Sequence, residues 1–259
     1  MFGSLKELIG ARELLFNLAL KELKVRYKSA VLGFLWAVLH PVMLMIIFTV
    51  IFGIFMKFDI PNYPAYLLVG LIPWFFFSAS LNVATNSIVD NYNLVKKVYF
   101  PRKVLPLSII FSNFINFLLS LIVLFVFLYL IFRIELSPKL IYLPVIVLLQ
   151  VVFISGFCFI TASLNVYYRD VRYIVEILLT LWFYATPIFY TMDMVPRPFL
   201  PVFYLNPMAS IITLYREILI YGLNPDPIHF LTAFTISLVL LKIGISISDK
   251  YEYVFADYV

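Results

Sequence analysis

Apolar residues in this chain come in long runs rather than in alternation. Six runs of about 20 residues or more cover residues 32–56, 66–89, 105–132, 140–165, 171–191 and 228–248. At about 1.5 Å per helical residue, each is long enough to cross a hydrocarbon layer of about 30 Å. The pattern predicts an all-α membrane protein with six transmembrane helices. The fifth run is the least regular, because Glu176 lies within it and Pro187 interrupts it.

Two further segments read as helices that do not span. Leu5, Leu8, Ile9, Arg12, Leu15, Phe16, Ala19 and Leu23 recur at helical spacing, with Lys6, Glu13, Asn17, Lys21, Lys24 and Lys28 mostly opposite them. Residues 1–31 are therefore expected to form an amphipathic helix along the membrane interface, ahead of a single six-helix domain at 32–259. The other segment lies in the outer loop 192–227, which holds six of the fifteen prolines. Its run MASIITLY is apolar but short, and Arg216 and Glu217 follow directly. Such a segment is expected to dip into the outer leaflet as a short helix, where irregular backbone needs protein or water to cover it.

Composition agrees with the runs. The chain of 259 residues is 64% hydrophobic and 13% charged, with a mean hydropathy of +1.02, whereas soluble domains are about 25% charged. The net charge of +5 sits in short segments between apolar runs rather than on one solvated face, which argues against nucleic acid as a partner. Lys6, Arg12, Lys21, Lys24, Arg26, Lys28, Lys96, Lys97, Arg102, Lys103, Arg169, Arg172 and Lys250 fall on one side of a six-span topology. Only Lys57, Arg133, Lys139, Arg197 and Arg216 fall on the other. This bias places both termini in the cytoplasm. The first apolar stretch is long enough to span and carries no small-residue cleavage pattern, so no cleavable signal is expected.

Several chemistries lack their residues. There is no GxxxxGK[ST] phosphate loop, and no HExxH, CxxC or GxSxG. His40 and His229 have no metal-ligand neighbours, so no metal is expected, and Cys158 reads as a small residue within an apolar run. Glu176 is the one carboxylate well inside a run; a catalytic cluster or an ion relay would need more. Arg172, four residues earlier, is placed to pair with it on one helix face.

What the runs do present is ring and amide surface. Aromatic residues make up 19% of the chain. Trp36, His40, Phe48 and Phe52 share a stripe on the first run; Tyr173, Glu176, Thr180, Tyr184 and Pro187 share one on the fifth. Ser78, Asn82, Thr85 and Asn86 form a polar stripe on the second. Each ring taken alone is equally read as packing. Together the stripes point to a pathway for an amphipathic solute, lined by Trp36, His40, Phe48, Phe52, Asn82, Asn86, Thr180 and Tyr184.

Six stretches then resemble a known family in order along the chain: RYKS with LGFLW and Pro41 (from residue 26), GLIPWFFFSASL (70–81), NLVKKVYFPRKVLPLS (93–108), LNVYYRDVRYIVEILL (164–179), TPIFY (186–190) and LNPMASIITLYREIL (205–219). They resemble the permeases of bacterial polysaccharide ABC exporters. The resemblance implies a homodimer joined to two copies of a separate ATPase, with ATP and Mg bound in that partner and no cofactor in this chain. It implies export of lipid-linked O-antigen, capsule or teichoic acid across the inner membrane. Contact with the ATPase is implied for the loop 90–103, with Asp90, Lys96, Lys97, Tyr99, Pro101, Arg102 and Lys103, and for Tyr168, Arg169 and Asp170. The outer segment 196–222 resembles a pair of re-entrant helices that narrow the exit. Arg12, Arg26, Lys28, Arg169 and Arg172, with Glu176, are candidates for holding the carrier headgroup; orientation of the chain alone is the competing reading for these cations. Other functional readings are an ABC permease for a smaller lipid or drug, and a membrane-embedded transferase acting on a polyprenyl-linked substrate.

Overall fold

The structure is a computed structural model that describes residues 10–28, 33 and 35–251. Leu5, Lys6, Leu8 and Ile9 of the expected interface helix, with Ser29, Leu32 and Phe34 of the stretch leading into the first run, lie outside the described residues. The described residues form helices and connecting turns, with no strands among them. Five helical segments are long and apolar enough to cross a membrane: Leu35–Phe55, Tyr63–Asp90, Val104–Ile131, Pro138–Tyr167 and Pro227–Tyr251. These match five of the six expected spans, and the chain is a multi-pass membrane protein.

Helix α1 (Arg12–Tyr27) is held by protein rather than by lipid alone. Ala11, Leu14, Leu15 and Leu18 recur at helical spacing and pack on Ile88, Val95, Phe100, Val104, Leu105, Ala162 and Val166. Phe16, expected on the same face, is half exposed instead.

The first span is α2 (Leu35–Phe48), which contains Pro41 and widens into a π-turn over Thr49–Phe55. The central helix is α3 (Tyr63–Asp90), buried on nearly every side. A six-residue helix α4 (Tyr92–Lys97) follows, then α5 (Val104–Val126), which also ends in a π-turn, Phe127–Ile131. Both π-turns close in the same way. Lys57 and Arg133 adopt left-handed backbone, with φ of 53° and 54°. Beyond them Phe58 N–H reaches the Phe52 carbonyl and Ile134 N–H reaches that of Leu128, each at 2.9 Å. A cation at this position also suits the negative end of the helix dipole.

A 3-10 turn at Pro138–Tyr142 leads into α6 (Leu143–Tyr167), which pairs along its length with α10 (Pro227–Tyr251). The contact is close because both helices present small residues. A Cβ on Gly156 would lie 2.7 Å from the backbone of Leu240 and Leu241, and one on Gly244 would lie 2.5 Å from the Gly156 carbonyl oxygen. Ala233, Ser237, Gly244 and Ser248 are the buried residues of α10, so backbone contact, not a shared oily seam, holds this pair.

The remaining run behaves differently. Helix α7 (Val171–Tyr184) stops after 14 residues, about 21 Å at helical rise. Pro187 disfavours helical backbone at Thr186 and has no N–H of its own to donate. The chain bends there, passes two 3-10 turns and α8 (Leu200–Tyr204), and forms α9 (Pro207–Leu219). Asn206 caps α9, accepting from the Met208 and Ala209 N–H groups.

Candidate translocation groove and coupling surface

Ser78 and Asn82 lie one turn apart on α3, and Glu176, Thr180 and Tyr184 lie one turn apart along α7. With Leu44, Trp74, Phe75 and Phe183 they line an open groove of about 390 Å³. Asn82, Glu176, Thr180 and Tyr184 are all exposed. Four candidate residues from two stripes thus meet on one wall. Thr180 Oγ1 donates back to the Glu176 carbonyl at 3.0 Å.

The expected Arg172–Glu176 pair is not formed. Arg172 lies 4.3 Å over the Tyr173 ring and hydrogen-bonds its hydroxyl. The adjacent tyrosine offers a ring face and an oxygen together, and stacking suits the weakly hydrated guanidinium. Asn86 also leaves the groove wall. Its Oδ1 accepts from Asn165 Nδ2 at 3.2 Å, and Asn165 Oδ1 accepts from the Arg172 N–H at 3.3 Å, so this pair positions the start of α7.

The turn after α7 adjoins the groove through Phe183, which packs on Phe189. Phe48 and Phe52 of the first span pack on Phe189, with ring centroids 5.7 and 5.2 Å apart, and Phe183 joins the same cluster. These two rings therefore brace the turn. The turn exposes four consecutive carbonyls, and a side chain meets each one. Arg216 donates to Pro187 at 2.6 Å and Ile188 at 2.7 Å; Tyr63 donates to Phe189 at 2.7 Å and Tyr66 to Tyr190 at 2.8 Å. Non-helical backbone among apolar spans survives only with such cover.

Arg216 is only 4% exposed, and its guanidinium lies 3.5 Å from the centre of the Tyr66 ring. The cost of burying this cation, anticipated from the sequence, is met by carbonyls and a ring. Gly70 leaves the space, since a Cβ there would stand 2.8 Å from Arg216 Nη2. Asn206 ties the same region together: it accepts from Trp182 Nε1 at 2.8 Å and donates to the Ala185 carbonyl and Thr186 Oγ1, each at 3.1 Å. Gln150 of α6 donates to the Pro73 carbonyl and accepts from Tyr215, both at 2.8 Å, joining α6, α3 and α9.

At the opposite, basic end, Lys96 and Lys97 of α4 and Tyr99 just beyond it point outward, and Tyr99 is 89% exposed. Arg102 and Lys103 do not join that surface. Arg102 is buried and donates to the carbonyls of Phe100 at 2.7 Å and Val95 at 3.2 Å. Lys103 is buried in an ion pair with Asp249 near the end of α10. Buried in this way, the two cations hold the loop in shape. Asp90 at the end of α3 is exposed, and Lys21 of α1 donates to Asn91 beside it at 3.4 Å. Pro101 is half-buried, while Tyr168, Arg169 and Asp170 form a second exposed turn.

Among the described residues, no group of three or more His, Cys, Asp or Glu is placed to hold a metal. Comparison with known proteins agrees with a transport role. Residues 13–220 match the ABC-2 type transporter membrane family. The chain belongs to this ABC-2 type family. It is 37% identical over 259 residues to the O-antigen export system permease protein RfbA of Myxococcus xanthus, covering 99% of each chain. A Klebsiella pneumoniae protein of the same name is 37% identical over 249 residues, covering 95% of this chain and 94% of the relative. The polysialic acid transport protein KpsM of Escherichia coli is 27% identical over 247 residues, covering 91% of this chain and 92% of the relative. This ABC-2 family chain is a transport subunit, not an enzyme.

Within this ABC-2 fold the headgroup candidates do not form one cluster. Arg12 and Lys28 are exposed near opposite ends of α1, and Arg169 is exposed in the turn before α7. Arg26 is exposed as well, yet its guanidinium reaches into the bundle. Its Nη1 donates to Asn113 Oδ1 of α5 at 2.6 Å, and next to it Tyr27 donates to Asn116 Oδ1 at 2.7 Å. Burial raises the Tyr27 hydroxyl pKa, with the Arg26 charge opposing, so Tyr27 stays a proton donor at neutral pH. Trp36 and His40 line the cavity beside these residues, not the groove.

The sequence reading missed Tyr63, Tyr66, Gln150, Asn206, Asn113 and Asn116. For the two α5 asparagines there was a signal: amides at i and i+3 inside a strongly apolar run are costly unless they have partners. Tyr63 and Tyr66 gave none, because tyrosine is common near span ends.

Proposed function

We propose that this chain is the permease of an ABC exporter that carries lipid-linked polysaccharide, of O-antigen or capsule type, across the inner membrane. The observation that carries this reading is full-length likeness to two O-antigen permeases. The groove supports it, since amide, hydroxyl and ring surface along α3 and α7 suits a sugar chain that must slide rather than lodge. Two copies work as a dimer with two separate ATPase subunits, which hold the ATP and Mg. The α1, α4 and α10-terminal end faces the cytoplasm, in keeping with its basic residues. Helix α7, with the turn after it and the α8–α9 pair, supplies the sixth crossing, and α8 and α9 narrow the exit.

Coupling follows from how the basic loop is built. Arg102 clamps α4 against its own turn, Lys103 ties the start of α5 to α10, and Lys21 joins α1 to the end of α3. A push by the ATPase on Lys96, Lys97 or Tyr99 therefore moves α3, α5 and α10 together. The test is to co-purify the chain with the ATPase encoded beside it and reconstitute the pair with lipid-linked glycan. ATPase activity stimulated by the glycan and lost on Lys97→Glu is the expected result. A wild-type chain that assembles with no ATPase, or that turns over carrier lipid alone, overturns the reading.

A further inference from the structure

A second cavity, of about 280 Å³, lies between α1, α2, α3 and α5. It shares only Phe75 with the groove's lining. Asn113 and Asn116 stand nine and twelve residues beyond Val104, about 14 and 18 Å along α5 at helical rise. The cavity thus reaches well into the apolar part of the bundle.

Its polar groups are unbalanced. Asn113 and Asn116 are 3% and 7% exposed, and each Oδ1 is used by α1, through Arg26 and Tyr27. Yet the Nδ2 of each has no hydrogen-bond partner. A buried N–H left unpaired is costly, so two side by side are a poor way merely to staple α1 to α5. Arg26 has five N–H donors and gives one to Asn113. No Asp or Glu is among the residues lining the cavity. The walls therefore offer a cation and several N–H donors but no carboxylate to balance them. Trp36, 55% exposed, forms a flat wall beside them.

We propose that this cavity binds the phosphorylated headgroup of a membrane lipid, with Arg26 and the Asn113 and Asn116 amides on the phosphate oxygens and Trp36 against the group they carry. The identity of that lipid as the glycan carrier rests on the exporter reading; the site itself does not. Donor-rich walls select phosphate oxygens, and the open ring accepts a sugar face.

The test is native mass spectrometry of the full chain co-purified with its ATPase. It is titrated with a polyprenyl diphosphate bearing one sugar, with phosphatidylglycerol, and with uncharged polyprenol. One phosphorylated lipid per chain is expected, with polyprenol not retained. Asn116→Asp keeps the side-chain size and the acceptor for Tyr27 but replaces an N–H donor by negative charge. It is expected to weaken binding at least tenfold, as is Arg26→Gln. Trp36→Leu, at an exposed ring, is expected to weaken the sugar-bearing lipid several-fold even where an α5 variant fails to fold. Tenfold preference for the diphosphate sugar identifies the lipid as the carrier; equal retention of phosphatidylglycerol identifies it as bilayer phospholipid. Retention of polyprenol, or undiminished binding by Asn116→Asp, overturns the site. Glycan export is scored in parallel. Normal binding and export by Asn116→Asp remove the site and spare the exporter reading. Phospholipid binding by a wild-type chain that exports no glycan does the reverse.

Discussion

Arg216 shows how a single charged side chain can be both expensive and necessary in an apolar bundle. It satisfies two of the four carbonyls at the Pro187 turn, and Tyr63 and Tyr66 satisfy the others. Arg216→Met removes the cation but leaves those two carbonyls without donors. The expected result is a loss of about 3 kcal/mol, read as a lower melting temperature by scanning fluorimetry in detergent. Arg216→Lys is expected to recover little of this, because a single ammonium cannot match the planar fork that meets two carbonyls and a ring. In the groove the logic reverses. Asn82 and Tyr184 are exposed, so Asn82→Leu and Tyr184→Ala are expected to leave melting unchanged while lowering glycan export several-fold in reconstituted vesicles.

At the scale of elements, the α6–α10 pair depends on having no side chain at Gly156 and Gly244. Gly156→Val would drive a branched side chain into the backbone of Leu240 and Leu241. Membrane accumulation of folded protein is expected to fall sharply, and Gly10→Ala, where nothing lies within 4 Å, is the control expected to change nothing. The loop after α4 divides by burial in the same way. Lys97→Glu changes an exposed charge and is expected to uncouple ATP hydrolysis without lowering the melting temperature. Lys103→Ala removes the partner of Asp249 and leaves a pocket at the start of α5. It is expected to lower the melting temperature, with any loss of coupling following from the loss of fold.

For the whole molecule, five spans, a half-length α7 and the α8–α9 segment pack around a groove and a separate cavity, which α2 lines at different depths. Trp36 and His40 line the cavity, while Leu44 lines the groove and Phe48 and Phe52 pack on the turn after α7. A single expected channel stripe on the first span is thus divided between two places. A stripe at helical spacing runs the length of a helix, and only packing shows which neighbours it meets at each depth. The groove residues of α3 and α7 were recoverable as stripes because polar side chains on an apolar helix have few places to go.

The sequence by itself determined the membrane class, five of the spans, the basic end and the break in the chain at Pro187. Each follows from local chemistry: apolar run length against bilayer thickness, positive charge beside the membrane, and proline's missing N–H. Only the tertiary structure decided that Arg102 and Lys103 face inward, that Arg172 prefers Tyr173 to Glu176, and that Asn86 braces α7. It also decided that Arg26 and Tyr27 reach two asparagines on a distant helix. These outcomes depend on which donors and acceptors meet across helices, and one chain read in order has no term for that distance.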